Sequence, residues 1–282
     1  MSIKILILIM IVICFQTAES MAEPWPAGGG QEIGRVGYSG GLPDGYEPSG
    51  AVWHPGRQKL LIVDDSGLIS QLDSNGENIV TWNVDEDLEG ITLIDPESSL
   101  IYLGVESPDS ILEFDLETGS LTGNQWDLTA WMDGPNNHGL EALTWGDGFF
   151  YAGLQEDGRI FKFNLLENGQ VQHLGTIISH DGLDDISGMQ YDSCTGILYA
   201  VYDNHNLMVE MTAAGSFLRQ YELPEDDQEG VALIGGSGSG ETPIFIAVDS
   251  GEVWRYDSFP VEACHPTSGI HTVPRHPPQI RL

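Results

Sequence analysis

The chain has 282 residues, with 43 Asp or Glu against 10 Lys or Arg and a formal charge of −33. Nucleic acid and anionic membranes both call for a positive footprint, so this balance argues against either as a partner. Acidity of this size suits solubility in a salty milieu or the capture of cations, and bulk charge alone does not choose between them.

Taken in order, the chain opens with Lys4, an apolar run from Ile5 to Phe15, and Thr17-Ala18-Glu19-Ser20. These are the basic end, apolar core and small-residue cut site of an export signal over residues 1–20. A periplasmic or extracellular protein is expected, with an uncleaved membrane anchor as the alternative. Ile13 before Cys14 is larger than a lipid-modification signal prefers. Residues 21–32, with Pro24, Pro26 and Gly28-Gly29-Gly30, read as a flexible lead-in. One strand is expected next, around Ile33-Gly34-Arg35-Val36-Gly37-Tyr38.

From there a motif recurs five times. Its copies are Pro48-Ser49-Gly50-Ala51, Asp87-Leu88-Glu89-Gly90-Ile91, Leu140-Glu141-Ala142-Leu143, Ile186-Ser187-Gly188-Met189 and Gln228-Glu229-Gly230-Val231. Gly50, Gly90, Ala142, Gly188 and Gly230 are spaced by 40, 52, 46 and 42 residues. Each copy precedes an apolar run, such as Leu60-Leu61-Ile62-Val63 or Ile197-Leu198-Tyr199-Ala200-Val201, that ends on Asp64, Glu106, Gln155, Asp203 or Asp249. A polar turn and a third alternating strand follow, closing on Asp73, Asp115, Asn164, Thr212 or Asp257. The interval between those two sets of residues is 9 in four repeats and 8 in the last.

A period of this length with several short strands is that of a β-propeller blade. The expected fold is therefore an all-β propeller of four-stranded blades over residues 33–263, with five repeats visible and a sixth, degenerate blade as the alternative. The fifth repeat lacks a fourth strand, and the N-terminal strand is expected to fill that place and remove an open edge; the C-terminal strand is the alternative. The second repeat carries an insertion from Gly123 to Asn137, and the fifth a flexible Gly235–Gly240 loop. Residues 264–282, with His265, His271 and His276, read as a tail. Cys194 and Cys264 should lie on one face of adjacent blades. They are either bonded, for about 3–4 kcal/mol on the chain-entropy model, or free thiols.

Propeller geometry turns the repeat into a surface. The residues just before the Gly, namely Ser49, Glu89, Glu141, Ser187 and Glu229, should line the mouth of the central channel. Glu47, Asp87, Gly139, Asp185 and Asp227 lie two residues earlier, and the ends of the second strands reach the same face. Converging carboxylates either hold protons or hold a cation, and oxygen-only ligands suit Ca²⁺ or Mg²⁺ rather than zinc. The expected ligand set is Glu89, Glu141 and Glu229, supported by Asp64, Asp203 and Asp249. The competing reading is structural, with each acid bonded to the backbone of the next blade. His138, His205 and His180 should share the acid-lined face and His54 the opposite one. His138 and His205 are weak candidates for a base in a metal-dependent ester or lactone hydrolysis. No phosphate loop, His-Glu-x-x-His or Cys-x-x-Cys occurs, and no organic cofactor is expected.

The (Asp/Glu)-x-Glu-Gly and (Asp/Glu)-x-Ser-Gly strand starts over residues 47–257 resemble those of the SdiA-regulated (YjiK-like) family of bacterial propellers. That resemblance implies an exported or membrane-anchored propeller without an assigned reaction. More distantly the chain is similar to NHL-repeat, phytase-like and lactonase propellers, several of which hold calcium near the channel. It lacks the Lys and Arg cluster a phosphate ester would need. The expectation is a monomeric, calcium-stabilised binding module whose acid-lined face takes an unidentified ligand or protein partner; the alternative is the hydrolase.

Overall fold

The computed structural model describes residues 21–264 apart from 133, 136–137, 225 and 236–239. The expected export segment at 1–20, the histidine-bearing tail beyond Cys264 and most of the Gly235–Gly240 loop lie outside the described residues. Among those described, no helix is long and apolar enough to cross a membrane.

Five four-stranded antiparallel sheets form a ring of blades. After β1 (Gln31–Ile33), blade one holds β2 (Pro48–His54), β3 (Lys59–Asp64), β4 (Leu68–Leu72) and β5 (Val80–Asn83). Blade two holds β6 (Leu88–Thr92), β7 (Leu100–Val105), β8 (Ser110–Asp115) and β9 (Ser120–Asp127), followed by the short helix α1 (Thr129–Met132). Blade three comprises β10 (Leu140–Gly146), β11 (Phe149–Leu154), β12 (Ile160–Leu165) and β13 (Val171–Ile177). Blade four comprises β14 (Ile186–Asp192), β15 (Ile197–Tyr202), β16 (Leu207–Thr212) and β17 (Phe217–Glu222). In blade five, β18 (Gln228–Leu233), β19 (Glu241–Val248) and β20 (Val253–Pro260) take β1 as their outer strand, with Ile33 opposite Val253. The ring thus closes through the N-terminal strand, as expected, and with five blades rather than six.

Burial explains the sequence pattern. Each second strand lies between two neighbouring blades, so both of its faces are apolar. In β3, Leu60 and Ile62 enter the seam with blade five, while Leu61 and Val63 enter the seam with blade two. That is period-two alternation with no polar face. Five apolar clusters, one per seam, make the core. The outer strands are solvated: β9 buries only Trp126. Inner strands converge on the axis too closely for side chains at the motif glycine. A Cβ on Gly90 would stand 2.7 Å from Leu143 Cβ, and one on Gly188 would stand 2.7 Å from the Glu229 carbonyl oxygen.

Two sequence expectations change. Part of the segment 21–32, expected as a flexible lead-in, packs as a belt around Glu23, Trp25 and Ala27. Glu23 N–H donates to Gln220 O at 2.9 Å and Glu23 O accepts from Glu222 N–H at 2.8 Å, which covers the open edge of β17. Trp25 packs on Tyr221, Tyr256 and Phe259. The closing strand is also shorter and earlier than the 33–38 stretch, because Gly34 and Gly37 take left-handed φ and turn the chain away. The Gly123–Asn137 insertion is in part the outer strand β9, whose Trp126 indole donates to Leu166 O of blade three at 2.8 Å. Cys194, in the β14–β15 turn, and Cys264 are joined as a disulfide with Cα atoms 5.0 Å apart.

Candidate metal centre at the channel mouth

All five inner strands begin with the same irregularity. Their pairing register jumps from Pro48 to Gly50, Leu88 to Gly90, Leu140 to Ala142, Ile186 to Gly188 and Gln228 to Gly230. The skipped residue is the extra one of a β-bulge, left out of the ladder and re-aimed. Those residues are Ser49, Glu89, Glu141, Ser187 and Glu229, the column read from the sequence. A second repeated bond draws the other columns in. In blades two to five the backbone N–H of the residue just after the second strand donates to the carbonyl two residues before the bulge. The pairs are Glu106 to Asp87 (3.0 Å), Gln155 to Gly139 (2.9 Å), Asp203 to Asp185 (3.0 Å) and Asp249 to Asp227 (2.9 Å). Asp185 and Asp227 both sit at φ 59°, a left-handed conformation that Asp tolerates better than most residues.

The two serines of the column take the structural role. Ser187 Oγ donates to Gln228 O at 2.7 Å, and Ser49 Oγ donates to Leu88 O, each reaching the next blade. The glutamates instead crowd one another. Glu89 is only 8% exposed and borders a channel cavity of about 10 Å³, room for about one water. Burial, then the charges of Glu141, Asp87, Asp65 and Glu106, push its carboxyl far above the carboxylate range. Glu141 is raised by burial and by Glu229, Glu106, Asp185 and Asp87. Glu229 is raised by burial and by Asp203, Glu89, Asp249 and Asp185. These three side chains, expected to meet, feel one another across the mouth.

The tightest group is not the symmetric one. Carboxylate oxygens of Asp87, Glu89 and Glu106 all lie within 4.8 Å of one another. This places the densest oxygen cluster off the axis, on blade two, with Glu141 beside it. Glu106 is also held by Gly139 N–H at 2.6 Å; burial nevertheless pushes its carboxyl up to about 7. Of the supporting residues, Asp64 is engaged in its own turn, accepting from Leu68 N–H at 2.7 Å and Ser66 Oγ at 2.9 Å. Asp203, raised by burial to about 6, and exposed Asp249 stand at the rim near Glu229. Asp65, which burial raises to about 6, belongs to the group although no repeat column contains it.

The histidines lie beside acids of their own. His138 Nδ1 is 3.5 Å from Glu156, and His205 Nε2 is 2.6 Å from Asp184, both on the surface. His180 stacks on Phe217 with ring centroids 3.8 Å apart. His54, at the far end of β2, is buried against Ser98 O at 2.9 Å, on the opposite face as expected.

The strand starts that converge here are those on which the family resemblance rests, and the comparison with family models meets them directly. The SdiA-regulated family model matches residues 176–239. That stretch spans blade four and the first strand of blade five, and it includes both Asp185-Ile186-Ser187-Gly188 and Gln228-Glu229-Gly230. Among solved structures, the glutaminyl cyclase of Myxococcus xanthus is similar at a TM-score of 0.59 and 13% identity, over 83% of this chain and 97% of that one. At that identity the likeness shows a shared fold alone. No curated protein matches the sequence.

Proposed function

We propose that this chain is an exported binding module whose channel mouth holds Ca²⁺. The observation that carries the reading is the bulge that turns Glu89, Glu141 and Glu229 into one opening, beside the Asp87–Glu89–Glu106 cluster. Without a cation Glu89, Glu141 and Glu229 must keep protons they would lose in water. A hard divalent ion removes that cost, and oxygen ligands from carboxylates are the donor set it prefers. Asp87, Glu89 and Glu106 would hold the ion, with Glu141 next to it. A ligand or protein partner then meets an acid-lined rim of Asp65, Asp185, Asp203 and Asp227, through its own basic groups or through the ion.

The test is thermal unfolding of the intact chain in Ca²⁺ and in chelator. Ca²⁺ at a hundredfold over its dissociation constant should add about 2.7 kcal/mol of stability, and Glu106→Gln and Asp87→Asn should each reduce that gain. A melting temperature indifferent to chelator removes the ion from the proposal. The hydrolase alternative has no observation of its own in its favour, since His138 and His205 each pair with a surface acid. Turnover of a lactone and ester panel, lost in His138→Ala, would reinstate it.

A further inference from the structure

A second cavity, of about 520 Å³, lies on blade two, one of its wall residues, Asp109, standing near Glu106 of the channel mouth. Pro108, Asp109 and Ser110 form one wall, and Gln125, Asp127 and Thr129 the other, closed at one side by the β12–β13 turn. The strand register builds it: Ser110 pairs with Asp127 across β8 and β9. Its polar groups are held in place. Asp127 Oδ1 accepts from Thr129 N–H at 2.9 Å and from the Thr129 hydroxyl at 2.5 Å. Asp109 Oδ1 accepts from Leu140 N–H at 2.7 Å, and Gln125 Nε2 donates to Ser110 Oγ at 3.5 Å. Beside that contact the Gln125 amide presents a second N–H donor and its carbonyl oxygen, an acceptor.

We infer that this cleft binds a small organic cation bearing a primary ammonium group. An ammonium offers three N–H donors and needs three acceptors; the Asp127 carboxylate, the Gln125 amide oxygen and a hydroxyl of Ser110 or Thr129 supply them. None of these wall residues is basic, and the sequence has no Lys or Arg between Lys59 and Arg159 to compete for the carboxylates. A divalent metal fits less well, because the acids that converge in threes among the described residues are Asp87, Glu89 and Glu106, not these. The walls carry no aromatic ring, which removes the stacking platform of a sugar or a quaternary amine. Pro108 gives an apolar edge for a short methylene chain. Hydrogen bonds from Thr129 hold the Asp127 carboxyl below its usual range.

The experiment is calorimetric titration of the intact chain with putrescine and with the uncharged diol of the same length, in saturating Ca²⁺ so that the channel mouth is occupied. One site for putrescine and none for the diol is expected. Asp127→Asn should weaken binding roughly tenfold, the loss of one charge-assisted hydrogen bond. Gln125→Arg, which tethers a cation in the cleft from an exposed strand position, should abolish it even if Asp127→Asn disturbs the start of α1. Glu117→Gln removes the same charge from an exposed turn and should change nothing. Equal binding of the diol, or unchanged putrescine binding in Gln125→Arg, overturns the assignment and leaves only diffuse attraction to an acidic protein.

Discussion

Replacing Glu89 by Gln removes one ionisable group from the most crowded part of the mouth. In the folded chain without a cation the Glu89 carboxyl is held protonated by burial and by its acidic neighbours, whereas in the unfolded chain it ionises near 4.5. Folding at pH 7 therefore has to load a proton. The cost is set by the gap between the solution pH and the unfolded value, about 2.5 units, or about 3 kcal/mol. The size of the upward shift does not enter, provided the folded value lies above the working pH. Gln keeps the shape and carries no such cost. Glu89→Gln should therefore stabilise the chain in chelator by up to about 3 kcal/mol at pH 7, and the gain should grow by about 1.4 kcal/mol per pH unit above pH 5. The sign follows from proton counting: the wild-type folded state binds more protons than the unfolded one, so its stability falls as pH rises through this window. In Ca²⁺ the gap should narrow, because the variant lacks a ligand. Denaturant unfolding at several pH values, with chelator and with Ca²⁺, measures all of this. A variant that is less stable than wild type in chelator at pH 8 would refute the reasoning, since it would mean that Glu89 is an ionised group with a stabilising partner.

Other outcomes follow from single observations. Gln228 is fully buried, and both polar atoms of its amide lack a partner among the described residues, at the position occupied by Leu88 and Leu140 in blades two and three. Gln228→Leu should stabilise by about 1–3 kcal/mol in a denaturant melt, keeping the Ser187 bond because that bond goes to the backbone. Gly90→Ala drives a Cβ into Leu143 of the next blade and should cost about 1–3 kcal/mol; a neutral result would mean the inner strands can spread. Exchanging Cys194 and Cys264 together for Ser should lower stability by about 4 kcal/mol on the chain-entropy model, and reductant should have no further effect on that variant.

Much of the architecture was legible because propeller blades repeat a physical problem. Every blade must bury both faces of its second strand and bring its first strand close to the axis. The apolar runs and the small residues at Gly50, Gly90, Ala142, Gly188 and Gly230 therefore recur at blade spacing. The missing fourth strand of the last repeat pointed to the N-terminal one for the same reason, that an open edge has to be covered. The belt was not legible. Glu23 and Trp25 sit among Pro and Gly that locally favour loose chain, and only the exposed edge of β17 and the Tyr221–Phe259 surface give them something to hold.

The mouth divides in the same way. By itself the sequence determined that acids recur in register, because a side chain's place in its repeat unit is a one-dimensional fact. Which acids stand close enough to share one ion was decided only in three dimensions. The bulge turns Glu89 inward, the Glu106-to-Asp87 backbone bond draws two more carboxylates beside it, and Leu68 and Ser66 engage Asp64 in a turn. Distances of a few ångströms between residues of different columns depend on how the strands twist and how each chain segment closes, and no spacing along the polymer records that.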